Sequence, residues 1–489
     1  MSSDLFLPGH DPTIAGILLS QWEERYPLPL HIYYEPVIRQ NLRAFKDVFT
    51  RLYPRGQVCF AAKACTHKPI LQIVHREGCG ADVASYNEAR CALEAGIPAN
   101  RLDLNGNCKE DFLLREAIDL GMNVIADCIE EIEQLEVIAR KLKKQVRVLL
   151  RISGYNLGKV TDESVFTAGH WTKFGTPLED IPSFLGTLDR FTHVQLVGFH
   201  THIGSQIAQL EPYLAVTRQL ISLGHQLAQT GRRCEVINIG GGFPVRYVDK
   251  SSWDDITRRI REGYAAFRRG DCSKSFVWHD DPAGFADHDH PELHLDHWSG
   301  ERFSTDYPKE KMLEALLKGK IALGSQEITI VEALRALGEP TLTIEPGRSI
   351  MEDAGVTLAR VGIVKTVARH HNLVCLEMGI TSHGESLIEN PVKRWEIANE
   401  NNLRADEPFE TFIGGNLCFS GDMISRVKVS LQRPPKRGDV LIIHDTGAYT
   451  SSLFASASNS YPRPARVLAM IDGSTTLLKR RDSYRDIVE

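Results

Sequence analysis

Short apolar runs alternate with amphipathic stretches along the first two thirds of the chain. Runs over Val58–Ala64, Ala81–Ser85, Leu102–Gly106, Val124–Cys128, Arg147–Ser153, Val197–Ile203, Glu235–Gly240 and Thr341–Glu345 read as buried strands. Helical signals fall between the early ones. Asn87–Ala95 stops at Gly96 with Pro98 beyond it, Lys109–Leu120 stops at Gly121, and Ile129, Ile132, Leu135 and Ile138 recur at helical spacing. Eight strands with intervening helices predict an α/β fold, a (β/α)8 TIM-type barrel over residues 46–350.

After Gly355 the pattern changes. Val356–Val367 alternates, Val440–His444 is a compact strand, and Val467–Ile471 leads through Asp472-Gly473 into Thr475–Leu478, a hairpin signal. These predict a C-terminal antiparallel β domain over 351–489, which the extended segment His31–Tyr34 within residues 1–45 is expected to join. Roughly a hundred residues separate the seventh and eighth strands, far beyond an ordinary loop, and predict a long insertion near 245–335. Its run Trp278–Trp298 holds His279, His288, His290, His294 and His297 among aspartates. That chemistry suits zinc or iron, but the spacing matches no metal motif and the plainer reading is an exposed polar insertion, so no metal is assigned.

Composition narrows the class. Hydrophobic residues are 42% and charged residues 25% of 489, ordinary for a globular chain. The net charge of −6 gives no argument for nucleic acid or an anionic membrane. The apolar run Ile14–Leu19 is too short to span a bilayer and lacks the basic flank of a signal peptide. Ten scattered cysteines, with no CxxC pair, read as reduced thiols and a cytoplasmic location.

In such a barrel the active site lies at the C-terminal ends of the strands. Lys63 follows the first strand and Asp82 and Ser85 lie on the second; His200 and His202 follow on the sixth, Gly240-Gly241-Gly242 on the seventh, and Glu345 with Arg348 on the eighth. Lys63 ends an apolar run, where burial would lower its pKa and suit it to imine formation; alone it also reads as a snorkelling lysine. The triglycine lets backbone N–H groups approach an anion, or makes a plain tight turn. Arg348 offers a charge-assisted fork to a phosphate, or a surface ion pair. Glu345 opposite a lysine-bound pyridoxal ring would keep the pyridine nitrogen protonated; its plain reading is a salt bridge.

Taken together, Phe60–Ala64, Ala81–Glu88, Gly198–Gln206, Ile237–Phe243, Ile344–Ser349, Gly415–Asp422 and Gly447–Tyr449 resemble, in order, the motifs of the fold type III pyridoxal-phosphate decarboxylases, nearest to diaminopimelate decarboxylase. The resemblance implies pyridoxal 5'-phosphate as cofactor, with Lys63 as its imine-forming lysine and Glu345 on the pyridinium. It further implies that His202 stacks on the ring and that Asp82 and Glu88 support them. Ser205, Gly240, Gly241, Gly242, Gly347, Arg348 and Tyr449 would hold the phosphate. Cys418 would enter from a partner subunit and help protonate the carbanion, making a homodimer with shared sites the expected unit. Alone, Cys418 reads as a small hydrophobe.

The substrate side departs from the family. Phe419, in Cys418-Phe419-Ser420, stands where diaminopimelate decarboxylases usually carry a glutamate that reads the distal end of the substrate. Gly379–Leu387 lacks the arginine and tyrosine of the segment that grips the distal carboxylate. Phe419, Asp422 and Tyr449 are therefore the candidate substrate contacts, and the expected substrate is another amino acid or an amino-acid conjugate. Two alternatives stand beside decarboxylation. A racemase of this fold resembles alanine racemase, which places an arginine where Glu345 stands, and a non-catalytic barrel regulator has no need of Lys63, His202, Glu345 and Cys418 together.

Overall fold

The computed structural model describes residues 5–8, 11–157, 167–280, 303–324, 326–387, 392–398 and 408–489. The chain divides into two compact units: Arg39–Val245 with Thr305–Ile350, and Met1–Ile38 with Arg246–Ser304 and Met351–Glu489.

The first unit holds β1 (Gly56–Ala61), β2 (Gly80–Val83), β3 (Leu102–Leu104), β4 (Asn123–Ala126), β5 (Val146–Ser153), β6 (Val194–His200), β7 (Val236–Asn238) and β8 (Thr341–Ile344). Each pairs in parallel with its sequence neighbour, and β8 pairs with β1, so the sheet closes on itself. This is the expected (β/α)8 barrel, in which closure leaves no open edge. β2 and β3 are buried along their whole length, as strands of a sheet covered on both faces must be. Ser85 caps the helix Tyr86–Glu94 by accepting the Glu88 N–H. Gly121, at φ 79°, ends Asp111–Leu120, and Ile129–Leu142 turns Ile132, Leu135 and Ile138 inward.

Except at β5, the ladders stop one to three residues before the apolar runs do. Ala62–Ala64, read as strand, is a 3-10 turn, and Ile203 and Ile239 lie in buried rim loops. Burial continues past the ladder because the rim itself is packed, so an apolar run cannot mark where pairing ends.

In the second unit Gly355–Val367 pairs antiparallel with Leu30–Tyr34, His371–Leu376 and Val440–Ile443. Leu30–Tyr34 runs parallel to Ala465–Ala469, and His371–Leu376 parallel to Phe409–Gly414, so the expected antiparallel sheet also carries two parallel pairings. The hairpin read through Asp472-Gly473 joins Ala465–Ala469 to Thr475–Lys479. Trp22, Ile32, Val356, Leu358, Val440 and Val467 share one core in this unit.

The stretch between β7 and β8 is divided rather than a single insertion. Lys250–Phe267, capped by Asp249, belongs to the second unit, whereas Glu310–Lys318, the hairpin Lys320–Leu323 with Gln326–Thr329, and Ile330–Ala336 belong to the barrel unit. His288, His290, His294 and His297 lie outside the described residues. No described helix is long and apolar enough to cross a membrane.

Candidate active site

The loops that follow the barrel strands gather one set of charges. Lys63 sits on the Ala62–Ala64 turn after β1, exposed between two buried alanines rather than buried as expected. Its ammonium acts on the carboxyls of Glu345, Asp82 and Glu88, opposing the upward push of burial on each. The same charge adds to the burial that holds His200 and His202 neutral. Five groups from three strand ends, those of β2, β6 and β8, therefore feel the charge of one lysine.

Glu345, 3% exposed after β8, is the most constrained of them. Asn238 Nδ2 donates to its Oε1 at 2.8 Å, and His200 Nε2 lies 3.2 Å from the same oxygen. Burial pushes the Glu345 carboxyl up to about 6, while Lys63 and the Asn238 hydrogen bond pull it back. His200 is fully buried and held neutral, chiefly by burial and then by Arg151, so its Nε2–H is available to donate to Glu345. Asp82 is pushed to about 6 by burial and by the Glu345 charge, with Asn105 Nδ2 donating to it at 3.0 Å. Asp103 is pushed to about 7, again first by burial, with Asn123 Nδ2 donating at 2.9 Å.

His202 lies beyond β6, partly exposed, with its loop fixed by a 2.6 Å hydrogen bond from Thr167 Oγ1 to the His202 carbonyl. Its Nδ1 is a buried atom with no hydrogen-bond partner among the described residues. Glu88 accepts from the Ala84 N–H at 2.8 Å and, more weakly, from Thr66 Oγ1 at 3.4 Å.

The triglycine turn is needed for close approach. A Cβ on Gly240, at φ +68°, would stand 2.4 Å from the Thr201 carbonyl oxygen, and one on Gly241 2.4 Å from that of Glu345. The turn is thus packed directly on the loops that carry His202 and Glu345. Arg348 is buried just past the buried Gly347 and donates to Ser205 Oγ at 3.3 Å. Gln206 ties the Ser205 loop down through its amide, donating to the Val245 carbonyl at 2.6 Å and accepting the Val245 N–H at 2.9 Å. A glycine cradle with an arginine and a serine suits a phosphate, a buried carboxylate suits a pyridinium, and a lysine amine suits an aldehyde. The residues present fit pyridoxal phosphate.

The remaining sequence-predicted residues lie in the second unit. Cys418 is exposed, and its N–H donates to Asn459 Oδ1 at 2.9 Å. Phe419 is 62% exposed beside it. Asp422 is buried and accepts from the backbone N–H groups of Ile380, at 2.6 Å, and Leu417, at 2.7 Å. That carboxylate orders the loop bearing Cys418 and Phe419. Tyr449 is partly buried at φ 59°.

Sequence reasoning assigned no role to His200, Asn238, Asp103 or Arg151. The buried Arg151 guanidinium lies 4.2 Å over the Phe174 ring and helps hold Asp127 and Glu345 down. A polar residue inside an otherwise apolar barrel strand was the available signal for all four.

The family model described as "Pyridoxal-dependent decarboxylase, pyridoxal binding domain" matches residues 37–277. The chain is 28% identical over 481 residues to a diaminopimelate decarboxylase of Bacillus subtilis, covering 97% of this chain and 94% of that one. It is 27% identical to that of Staphylococcus aureus, covering 97% and 96%. Among solved structures it is similar to diaminopimelate decarboxylase from M. jannaschii in co-complex with L-lysine. The TM-score is 0.77 at 23% identity, with 99% of this chain and 98% of that one covered, which speaks for the fold alone.

Proposed function

We propose that this chain, as a fold type III pyridoxal-phosphate-dependent decarboxylase, removes the α-carboxylate of an amino acid, or an amino-acid conjugate, other than diaminopimelate. The observation that carries the reaction is the Glu345 carboxylate, held by Asn238 and His200. A carboxylate there keeps a proton on the ring nitrogen of the cofactor, where an arginine would not.

Bound at the rim, pyridoxal phosphate supplies a sink for the electron pair left on Cα when carbon dioxide departs. Lys63 would hold the cofactor by its aldehyde, with an amine that a substrate amine could replace. Glu345 would accept the ring N–H and keep that proton in place. The Gly240–Gly242 turn, Gly347, Ser205, Arg348 and, by resemblance, Tyr449 would hold the phosphate, while His202 would cover the ring, supported by Asp82 and Glu88. Cys418 is assigned the return of a proton to Cα, reaching in from a second copy of the chain. For the substrate, Phe419 is an aromatic ring where a carboxylate reads diaminopimelate, and Gly379–Leu387 offers neither arginine nor tyrosine. A distal charge left unpaired there is rejected strongly. Asp422 serves by ordering the loop that carries Phe419.

The test is an absorbance spectrum of the purified protein followed by carbon dioxide release from a panel of amino acids and conjugates. The expected result is an imine band with release from a substrate other than meso-diaminopimelate. Release from diaminopimelate would overturn the substrate reading. No imine band after addition of pyridoxal phosphate would overturn the enzyme, and racemisation without carbon dioxide would replace the decarboxylase with a racemase.

A further inference from the structure

Asn238 closes β7, wholly buried, two residues before the triglycine turn. Its carboxamide faces two ways. Oδ1 accepts the Gly240 N–H at 2.9 Å, and Nδ2 donates to Glu345 Oε1 at 2.8 Å and, more weakly, to Asp103 Oδ2 at 3.4 Å. The backbone doubles this link, because the Glu345 N–H donates to the Gly240 carbonyl at 2.8 Å. The Asn238 carbonyl also accepts the Thr201 N–H at 2.9 Å, one residue before His202. One side chain therefore ties the turn proposed to hold the phosphate to the carboxylate proposed to meet the ring nitrogen.

We propose that Asn238 is a positioning residue that fixes the distance between the phosphate cradle and the Glu345 carboxylate, setting both cofactor retention and the reactivity of the ring. The inference rests on the decarboxylase reading above. Its physical basis is that a carboxamide carries its acceptor and its donor on two separate atoms, so one arm serves the Gly240 N–H while the other reaches Glu345. An aspartate would confront Glu345 and Asp103 with a third buried charge, and a serine keeps an acceptor for Gly240 but has no second donor arm of that reach.

Asn238→Ser and Asn238→Leu separate the two halves. In full-length holoenzyme, cofactor loss on dilution is followed by absorbance, and kcat and KM are measured on the best substrate of the panel. Asn238→Ser is expected to lose cofactor at a rate within about threefold of the parent, while kcat falls about tenfold at little-changed KM. Asn238→Leu is expected to lose cofactor about tenfold faster as well. Two variants with the same cofactor-loss rate, or a change in thermal midpoint alone, would overturn the proposal. Should Asn238→Leu fail to fold by circular dichroism, an unchanged kcat in Asn238→Ser overturns it by itself. Failure of the wider reading is distinct, since the parent chain would then take up no pyridoxal phosphate at all.

Discussion

Asp103 carries a hydrogen-bonded carboxyl that the proposed chemistry does not use, and it sets a pH dependence. Burial pushes it up to about 7 from an unfolded value of about 4, so the folded chain binds its proton more tightly than the unfolded chain does. Its ionisation cost is absent below about pH 4, grows as pH rises through the interval to about 7, and is then constant. Asp82 and Glu345, both raised to about 6, slope the same way over the lower part of that window. In the cofactor-free protein, Asp103→Asn should raise the free energy of unfolding at pH 8 by about 1 kcal/mol or more. The gain should vanish by pH 4. Urea denaturation at the two pH values checks this; an equal change at both would mean that packing, not ionisation, governs the site. The same residue shows where sequence reading stops. Lys63, Glu345 and Arg348 were legible because each is a charge at the end of an apolar run. Asp103 and Asn238 sit within the strands, where a single polar residue reads as local noise until its partner on another strand is known.

At the level of elements, the strands were legible and their ends were not, and the site is built at the ends. The turn after β7 illustrates why. Gly241 has no positive φ, so backbone conformation alone would admit alanine. Its neighbour forbids it, since a Cβ would meet the Glu345 carbonyl oxygen at 2.4 Å, a contact across β8 that no local pattern encodes. Gly241→Ala should separate the turn from the loop of Glu345 and weaken pyridoxal phosphate binding about tenfold, the equivalent of about 1.4 kcal/mol of overpacking. Gly362→Ala is a fair control, because its Cβ would meet nothing nearer than 3.5 Å. Equilibrium titration of the cofactor-free variants with pyridoxal phosphate reads both. Similar affinities in the two would show that the turn yields without disturbing the carboxylate. The mixed sheet of the second unit escaped the sequence for a related reason. Alternation in Val356–Val367 predicts a strand, but it cannot show that Leu30–Tyr34 and Ala465–Ala469 run parallel.

For the whole molecule the question is how many chains make one site. The barrel unit carries Lys63 and Glu345, and the second unit carries Cys418 on a loop ordered by Asp422, with Phe419 62% exposed beside it. If the proposed homodimer exchanges these loops, a Lys63→Ala chain and a Cys418→Ala chain are each defective in a different half of the site. A heterodimer of the two then has one site lacking both residues and one site lacking neither. Random exchange of equal amounts makes half the dimers heterodimers, so about one quarter of the parent activity should return on mixing. Each variant alone should stay far below that level, Lys63→Ala because no other described residue offers the rim an amine in the same place. The measurement is carbon dioxide release before and after the two are unfolded and refolded together, with sedimentation to count chains. Recovery to about a quarter requires a site shared between copies. No recovery, with dimers still present, would place the Cys418 thiol and the Lys63 amine of a site on one chain, and the exposed Phe419 loop would then serve some purpose other than completing its partner.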